Sequence, residues 1–324
     1  MASSRRHGEQ IETALAQSKA AQYLHVASWQ RSRTVHQLQP EKARPPERLS
    51  EQELLESREK LGPLLSIADE GLDWLYQSVG DSGCCVLLAD SNGVPLARRG
   101  APGDDAVFQD CGLWTGAIWS EESEGTNGIG TSIVEERALT IHMDQHYHSK
   151  NTGLSCTAAP IFDHQGELIA VIDVSSGRSD LTLGTVKLIS IAVRDVARRI
   201  EARNFREYFP NSRMVMATPN NEHNPFQEEP QAAALLAVDA DDLVIGATHA
   251  ARRMYQLSNV DFKNPIPLSE ISGQSVNAAE EYQTAEARVL RQALARSGGN
   301  ISATARELGI SRATLHRKLK RLAI

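Results

Sequence analysis

The sequence has no long apolar segment and few cysteines. No apolar run approaches the roughly 20 residues that a membrane-spanning helix needs. The opening residues, MASSRRHGEQIETALAQSKA, lack the apolar core of a secretory signal peptide. The four cysteines, Cys84, Cys85, Cys111 and Cys156, show neither a disulfide framework nor a zinc-ligand spacing. We therefore expect a cytoplasmic protein with reduced, mostly buried thiols.

A glycine-rich stretch at 112–132, GLWTGAIWSEESEGTNGIGTS, lacks the residues of a nucleotide-binding loop. A P-loop needs a lysine after its glycines, and a dinucleotide fingerprint needs a spacing that these glycines do not have. The lysine-containing loop occurs nowhere else in the chain either. The stretch instead predicts a loop that leads into a helix, capped by Thr126 or Asn127, with Ile129 and Ile133 on one face.

The charge of the chain is unevenly distributed. A length of 324 residues predicts two or three domains, and the net charge is −7. Residues 300–324 contain six Lys or Arg and one acid, a charge of +5, which leaves −12 on the other 299 residues. A small basic end on an acidic body favours a polyanionic partner for that end, although a solvated basic tail has the same composition.

The C-terminal 40 residues predict three helices. Apolar residues recur at helical spacing in the first and third helices, at Val289, Leu290, Ala293 and Leu294 and at Leu315, Leu319 and Leu322. Gly298 and Gly299 end the first helix, and Asn300 caps a second helix that runs to about Leu308. Gly309 provides a left-handed turn, and Ser311 caps the third helix. This order of helix, glycine turn and basic helix predicts a helix-turn-helix.

The polar side of the third helix is centred on Arg317, and Arg312 lies in its first turn, where a recognition helix meets base edges. The stretch GNISATARELGISRATLHRKLKRLAI resembles the DNA-binding end of the Fis family, which closes many sigma-54-dependent activators. The resemblance implies that a homodimer binds double-stranded DNA. The implied DNA contacts are Ser311, Arg312, Thr314, Arg317, Lys318 and Arg321. Ser311 stands where Asn is common in that family, so a base contact there is open.

The middle of the chain predicts an α+β domain with an antiparallel sheet. Residues 64–80 predict a helix, and the segments around SNG (91–93) and HQG (164–166) predict two hairpins. RALTIHM predicts a further strand. A long amphipathic helix is predicted from Thr182 to about Phe209, and its length suits a dimer stalk.

Two phrases, WSEESEGTNGIGTSIVE and GLSCTAAPIFDHQGELIAVIDVSS, resemble the GAF-fold sensor domain of acetoin-catabolism-type regulators. The resemblance begins near SWQRSR, at 28–33, and runs to about residue 205. In those regulators a GAF domain senses a small metabolite, an AAA+ ATPase remodels sigma-54 polymerase, and a Fis-type domain binds DNA. Here only about 75 residues, 206–280, separate sensor and DNA-binding end. We therefore expect no ATPase and no cofactor.

Six residues are candidates for lining a ligand cavity by their place in that fold: Trp119, Thr126, Asn127, Ile129, Cys156 and Asp173. Trp119 suits a simple core equally well, and the Asp173 carboxyl must be hydrogen-bonded in either role. A metal site at His142, His146 and His148 is an alternative, but the zincin glutamate is missing and the stretch falls in a sensor loop. We therefore expect no metal.

The remaining segment, AALLAVDADDLVIGATHAARRMYQL, predicts strand, acidic turn, strand and helix, and it resembles the opening of a PAS domain. TPNNEHNPFQEEPQ at 218–231 predicts a linker. We expect a helical N-terminal region at 1–60, a GAF sensor at 61–205, a linker with a truncated PAS-like segment at 206–279, and a Fis-type helix-turn-helix at 280–324.

These expectations converge on a ligand-responsive, DNA-binding transcriptional regulator rather than an enzyme. RNA polymerase or a related activator is an additional candidate partner. One alternative is an adaptor that modulates a full-length sigma-54 activator by hetero-association. Another is a GAF-fold thiol enzyme that uses one of the four cysteines, against which the helix-turn-helix argues.

Overall fold

The structure, a computed structural model, describes residues 2–17, 19–42, 46–80, 83–217, 234–271, 278–322 and 324. It divides into two units, Met1–Pro265 and Ile266–Ile324, each described by itself. The linker predicted at 218–231 lies outside the described residues. No helix in the described ranges is both long enough and apolar enough to cross a membrane.

The first unit combines helices with antiparallel strands. Its helices are α1 (Ala2–Ala16), α2 (Leu24–Thr34), α3 (Glu51–Lys60), α4 (Gly62–Val79), α5 (Asp105–Asp110), α6 (Glu121–Glu124), α7 (Gly128–Glu135), α8 (Leu183–Tyr208) and α9 (His249–Tyr255). Its strands are β1 (Cys84–Asp90), β2 (Pro95–Arg99), β3 (Leu139–His142), β4 (Ser155–Phe162), β5 (Leu168–Ser176), β6 (Arg213–Met216), β7 (Leu235–Val238) and β8 (Leu243–Ala247). The predicted helices at 64–80 and 182–209 and both predicted hairpins are confirmed.

Strands β1 to β5 form one sheet in the order β2-β1-β5-β4-β3. Strand β1 is buried along its whole length, so both faces of the sheet are covered. Because successive side chains alternate between faces, Cys84, Val86 and Leu88 join one core, while Cys85 and Leu87 join another. The sheet therefore separates two hydrophobic cores.

Helices α4 and α8 cover the first face. Leu72 and Leu75 of α4 and Val193 and Ile200 of α8 are buried there. Full burial of each such side chain contributes about 1.5–3 kcal/mol relative to exposure. The hydroxyl of Thr182 accepts a hydrogen bond from the Thr185 amide at 3.2 Å, which caps α8 where the sequence predicts its start.

The opposite face carries what we call the sensor core: Cys85, Leu87, Ala89, Phe108, Leu113, Ala117, Trp119, Ile129, Leu154 and Cys156. Its residues come from the sheet, from α5 and α7, and from the loops beside them. Helices α1 and α2 belong to the same unit. Trp29 of α2 packs with Tyr147, and its indole N–H donates to the Gln145 carbonyl at 2.8 Å.

The PAS-like segment contains the predicted strand, turn, strand and helix as β7, β8 and α9. Strands β6, β7 and β8 pair antiparallel. Arg252 of α9 donates from Nη2 to the His164 carbonyl at 2.9 Å, and the His249 and Phe162 rings stack 3.7 Å apart. The segment therefore packs on the β4–β5 hairpin.

The second unit contains β9 (Ile266–Pro267), α10 (Leu268–Ile271), α11 (Ala278–Arg296), α12 (Ile301–Glu307) and α13 (Arg312–Arg321). Leu290, Leu315 and Leu319 are buried together between its helices. Gly309 has a φ of +64°, a conformation that glycine adopts without strain, and it forms the turn before α13. The three C-terminal helices predicted from the sequence are confirmed.

Candidate DNA interface and sensor core

The exposed side of α13 carries cations that have no partner within the described chain. Leu315 and Leu319 bury the opposite side, so Arg312, Arg317 and Lys320 are exposed. None of these three forms an ion pair with another described residue. Arg312 occupies the first turn, where a recognition helix can reach base edges, and arginine suits bidentate contact with guanine.

Lys318 and Arg321, also predicted as DNA contacts, are engaged differently. Both donate to the Glu286 carboxylate of α11. These bonds, that of Lys318 first, hold the pKa of Glu286 below its usual range. If Lys318 and Arg321 contact a DNA phosphate, each of them must therefore leave Glu286 or bind the carboxylate and the phosphate together.

Neutralising Glu286 is expected to release these two cations to DNA. Glu286→Gln should raise non-specific DNA affinity about two- to tenfold at low salt, since the Lys318 and Arg321 side chains are 31% and 56% exposed and such pairs are individually weak. It should also steepen the log–log salt dependence by up to about 0.9 for each released cation. Glu307→Gln is the matched control, because Glu307 pairs with Arg296 outside α13. Equal salt slopes in the two variants would contradict the expectation.

Ser311 and Thr314 form the cap of α13. The Ser311 hydroxyl accepts from the Thr314 amide at 3.0 Å, and the two hydroxyl oxygens lie 2.8 Å apart. Their role as DNA contacts stays a prediction. In the structure, both side chains stabilise the first turn of α13 through this cap.

Three of the six candidate ligand residues lie in the sensor core. Trp119, Ile129 and Cys156 are each at most 2% exposed. The Trp119 indole N–H donates to the Gly112 carbonyl at 2.7 Å, which joins the segment before α6 to the loop after α5. In this structure the three side chains belong to one cluster of buried hydrophobic residues.

Thr126 and Asn127 are buried and hydrogen-bonded. Asn127 caps α7, as predicted: its Oδ1 accepts from the Gly130 amide at 2.8 Å, and its Nδ2 donates to the Gly125 carbonyl at 2.8 Å. The Thr126 hydroxyl lies 2.7 Å from that of Ser28 in α2. Both side chains stabilise the loop into α7.

Asp173 is fully buried and only partly hydrogen-bonded. Its Oδ2 accepts from the Ser175 hydroxyl at 2.6 Å, whereas Oδ1 has no donor among the described residues. Burial raises the pKa of this carboxyl to about 7. A Cβ added at Gly128 would come within 2.7 Å of Asp173 Oδ1, so α7 packs closely on the carboxyl.

Asp173 should make stability depend on pH. Its pKa of about 7 in the fold exceeds the ordinary 3.8, so between these values the unfolded chain releases a proton that the folded chain keeps. Stability is therefore lost as the pH rises from about 4 to 7. Asp173→Asn removes this loss, so urea unfolding should show the variant gaining on the wild type from pH 4 to pH 8. A constant difference would contradict this, and exposed Asp180→Asn is the control.

Cys156 lies beside His146, which the sequence offered only as an alternative metal ligand. His146 is fully buried, and its Nδ1 donates to the Met143 carbonyl at 3.0 Å, which leaves Nε2 to accept from the Cys156 thiol at 3.4 Å. Burial lowers the pKa of His146 to about 4 and raises that of Cys156 well above its usual range. The pair is therefore neutral, unlike the thiolate and imidazolium of a reactive cysteine.

His142 and His148 do not join His146 in a ligand set. His142 Nδ1 pairs with the Ser155 hydroxyl at 3.0 Å, and burial lowers the pKa of His148. Across the described residues, no group of three or more His, Cys, Asp or Glu side chains is arranged to hold a metal ion.

The sequence did not single out a buried ionic cluster beneath α2. Glu121 of α6, 2% exposed, accepts from Arg31 Nε at 2.7 Å and from the Ser28 hydroxyl at 2.8 Å. Arg31 also pairs with Glu135 at 2.8 Å. Ser28 and Arg31 belong to SWQRSR and Glu121 to WSEESEG, so two phrases of the family resemblance are contact partners. The occurrence of both phrases in the family resemblance is the sequence signal that could have pointed to this contact.

Two surface cavities lie away from the candidate ligand residues. One, of about 270 Å³, lies between α3 and the β1–β2 turn and includes Glu53, Lys60 and Asp90. The other, of about 480 Å³, lies between the β4–β5 turn and α9 and includes Gln165, His249 and Arg253. Both are lined mainly by polar surface residues, and neither is lined by any of the six candidates.

Comparison with known proteins supports a GAF-like sensor and a Fis-type DNA-binding domain. Residues 2–187 match the family described as "MimR, N-terminal domain", and residues 283–322 match "Bacterial regulatory protein, Fis family". In the Escherichia coli DhaR(N)–DhaL complex, a chain 16% identical superposes with a TM-score of 0.50, covering 76% of this chain and 80% of that one. The expected fold class is therefore confirmed.

Three of the curated relatives are named as regulators of transcription. The acetoin catabolism regulatory protein of Cupriavidus necator is 33% identical over 71% of this chain and 34% of its own length. The acetoin dehydrogenase operon transcriptional activator AcoR of Bacillus subtilis is 31% identical over 53% and 29%. The propane 2-monooxygenase operon transcriptional activator MimR of Mycolicibacterium smegmatis is 29% identical over 51% and 27%. The matched part of the chain covers between 27% and 34% of the length of these relatives.

A sensor domain and a Fis-type helix-turn-helix in one chain define a transcriptional regulator. The chain belongs to the family of regulators that share the MimR N-terminal domain, which matches more than half of its length. The names of these relatives describe regulators of transcription rather than metabolic enzymes.

Proposed function

We propose that the protein is a homodimeric, effector-responsive regulator that binds operator DNA without hydrolysing ATP. A small metabolite binds at the sensor core, and its different affinity for two conformations supplies the energy of the response. The relatives' names, which refer to acetoin catabolism and propane 2-monooxygenase operons, support a catabolic target. The absence of a phosphate-binding loop from the sequence supports the lack of ATPase activity.

The observation that carries this proposal is the arrangement of α13. Arg312 and Arg317 are exposed and form no ion pair with any residue that the structure describes, while Leu315 and Leu319 anchor the helix. The proposal assigns DNA binding to 280–324, sensing to 61–205 with the helices of 1–60 packed on it, and a connecting role to 206–279. Helix α8, with Leu188 and Ile191 about two-thirds exposed, is the proposed dimer contact.

The central test is a gel shift with the purified chain and an operator selected from random DNA. We expect specific binding that a screened metabolite changes, and no ATP turnover after stringent purification. Removal of residues 283–324 should abolish specific binding. If specific binding survives this truncation, the helix-turn-helix is not the DNA-binding element.

A second candidate function is that of an adaptor for a related activator. The observation that favours it is the fold shared with DhaR(N), which is named in a complex with another protein, DhaL. An adaptor would not shift operator DNA alone but would do so when the related activator is added. The same gel shift therefore separates the two functions.

A further inference from the structure

The side chains of two neighbouring arginines on β2 lie on opposite faces of the sheet. Arg99 faces α4 and pairs with Asp69 and Asp73. Arg98 pairs in register with Leu87, a residue of the sensor core, and Leu87 in turn pairs with Asp173. Because side chains on one register row share a face, Arg98 belongs to the sensor-core side, two strands from Asp173.

The Arg98 guanidinium is enclosed by aromatic and backbone groups. Its side chain is 10% exposed, and its Cζ lies 4.1 Å from the ring centre of Trp114 and 5.5 Å from that of Phe108. Its Nη1 lies 2.8 Å from Asp105 Oδ1. A Cβ at Gly100 would come within 2.4 Å of Nη2, so only glycine leaves the guanidinium this position. Asp105 Oδ1 has no hydrogen-bond partner among the described residues, so its contact with Nη1 is an ion pair without hydrogen-bond geometry, and aromatic stacking is the main orienting contact.

Two donors of this guanidinium are left without acceptors. Nε and Nη2 are buried and have no hydrogen-bond partner among the described residues. Buried N–H groups are nearly always paired, and arginine cannot escape the cost by losing its proton. Nε and Nη2 form the side of the guanidinium that donates two parallel hydrogen bonds to two adjacent oxygen atoms.

We propose that Arg98 anchors the effector of the sensor core through Nε and Nη2, and that the effector carries two adjacent oxygen acceptors. This inference rests on the sensor role proposed above and names the chemistry that the site recognises. Trp114 covers the guanidinium and is itself partly exposed, so the anchor lies one side chain below the surface. A carboxylate and a 2-hydroxyketone both present the required pair of oxygens.

The test compares three-carbon probes on the full chain: propionate, hydroxyacetone and 1-propanol. Calorimetry and tryptophan fluorescence should show saturable binding of propionate or hydroxyacetone, and not of 1-propanol, which has a single oxygen. Binding of propionate alone identifies a carboxylate effector, and binding of hydroxyacetone alone an uncharged one. Equal binding of 1-propanol, or no binding by either two-oxygen probe, overturns the inference.

Variants then locate the site. Arg98→Gln should lower the affinity for the probe at least tenfold. Arg98→Lys should lower it severalfold, because lysine keeps the charge but not the paired donors. Arg99→Gln, on the other face, should leave affinity unchanged, and Trp114→Phe should remove the fluorescence response while binding persists in calorimetry. Unchanged affinity in a folded Arg98→Gln, verified by circular dichroism, overturns the assignment. If that variant does not fold, the comparison of probes in the wild type still decides.

Parallel gel shifts separate this inference from the proposed function. A compound that changes operator affinity equally in wild type and Arg98→Gln keeps the sensor role and overturns the Arg98 anchor. A compound that binds through Arg98 and leaves operator affinity unchanged keeps the anchor and overturns the sensor role.

Discussion

Alanine at Arg312 is expected to cost about 1–3 kcal/mol of specific operator binding and to relax the preference at one position of each half-site. The reason is that Arg312 is exposed in the first turn of α13 and has no internal ion pair among the described residues. Arg317→Ala should instead weaken all sequences about equally and flatten the salt dependence, as loss of a phosphate contact does. Titrations of the selected operator and of single-base variants at several salt concentrations measure both effects.

Arg178→Ala provides the control for the Arg312 and Arg317 variants. It removes one positive charge from a loop of the first unit, where Arg178 pairs with Asp180. Its operator affinity should match the wild type. Should Arg312→Ala lower affinity for every sequence alike, Arg312 holds phosphate and base recognition lies elsewhere on α13. A dimer should also require two half-sites about one turn apart, roughly 34 Å.

Alanine at Arg31 is expected to destabilise the first unit by about 3 kcal/mol, the low end of the cost of breaking a buried ion pair, because the Arg31 side chain is 30% exposed. Arg31 is the cation that pairs with the buried Glu121 carboxylate, and its removal leaves that carboxylate with the Ser28 hydroxyl as its donor. Removing one partner of a buried pair is costly because the remaining charge is uncompensated. Glu121→Gln should cost less, since glutamine is uncharged and can still accept from Ser28. Urea unfolding at neutral pH measures both.

Arg203→Ala is the matched control, because Arg203 pairs with exposed Glu70 and Glu207 at the surface of α4 and α8 and such pairs contribute little. The double variant Arg31→Ala with Glu121→Gln should be more stable than Arg31→Ala alone, because it removes the stranded charge. If the double variant is the less stable of the two, the Glu121 carboxylate is not the source of the cost.

Local signals in the sequence identified most of the secondary structure. Asn127 and Asn300 are caps whose partners lie two or three residues away, and the leucines of α13 repeat within one helix. Such short-range patterns are fixed by the periodicity of the helix and by the unsatisfied amides at its start. The α+β class and the helix-turn-helix followed from them, whereas the GAF and Fis assignments followed from the family resemblance.

The sites depended on contacts between distant residues, which no periodicity encodes. Glu121 meets Ser28, 93 residues away, and Lys318 meets Glu286, 32 residues away. Arg98 and Arg99 are adjacent in sequence, and only the strand pairing assigns one to the sensor core and the other to α4. Burial of Asp173 could be expected from its apolar strand. That only one of its two carboxyl oxygens has a hydrogen-bond donor among the described residues could not.

The four cysteines differ in burial, so their rates of alkylation can report local opening of the first unit. Cys111 is partly exposed, whereas Cys84, Cys85 and Cys156 are buried. An alkylating reagent should therefore modify Cys111 first, and Cys156 only when the sheet face and α7 separate. When reclosing is faster than alkylation, the rate at Cys156 measures the free energy of that opening. Mass spectrometry of the alkylated peptides would follow each thiol separately, with no label added to the protein.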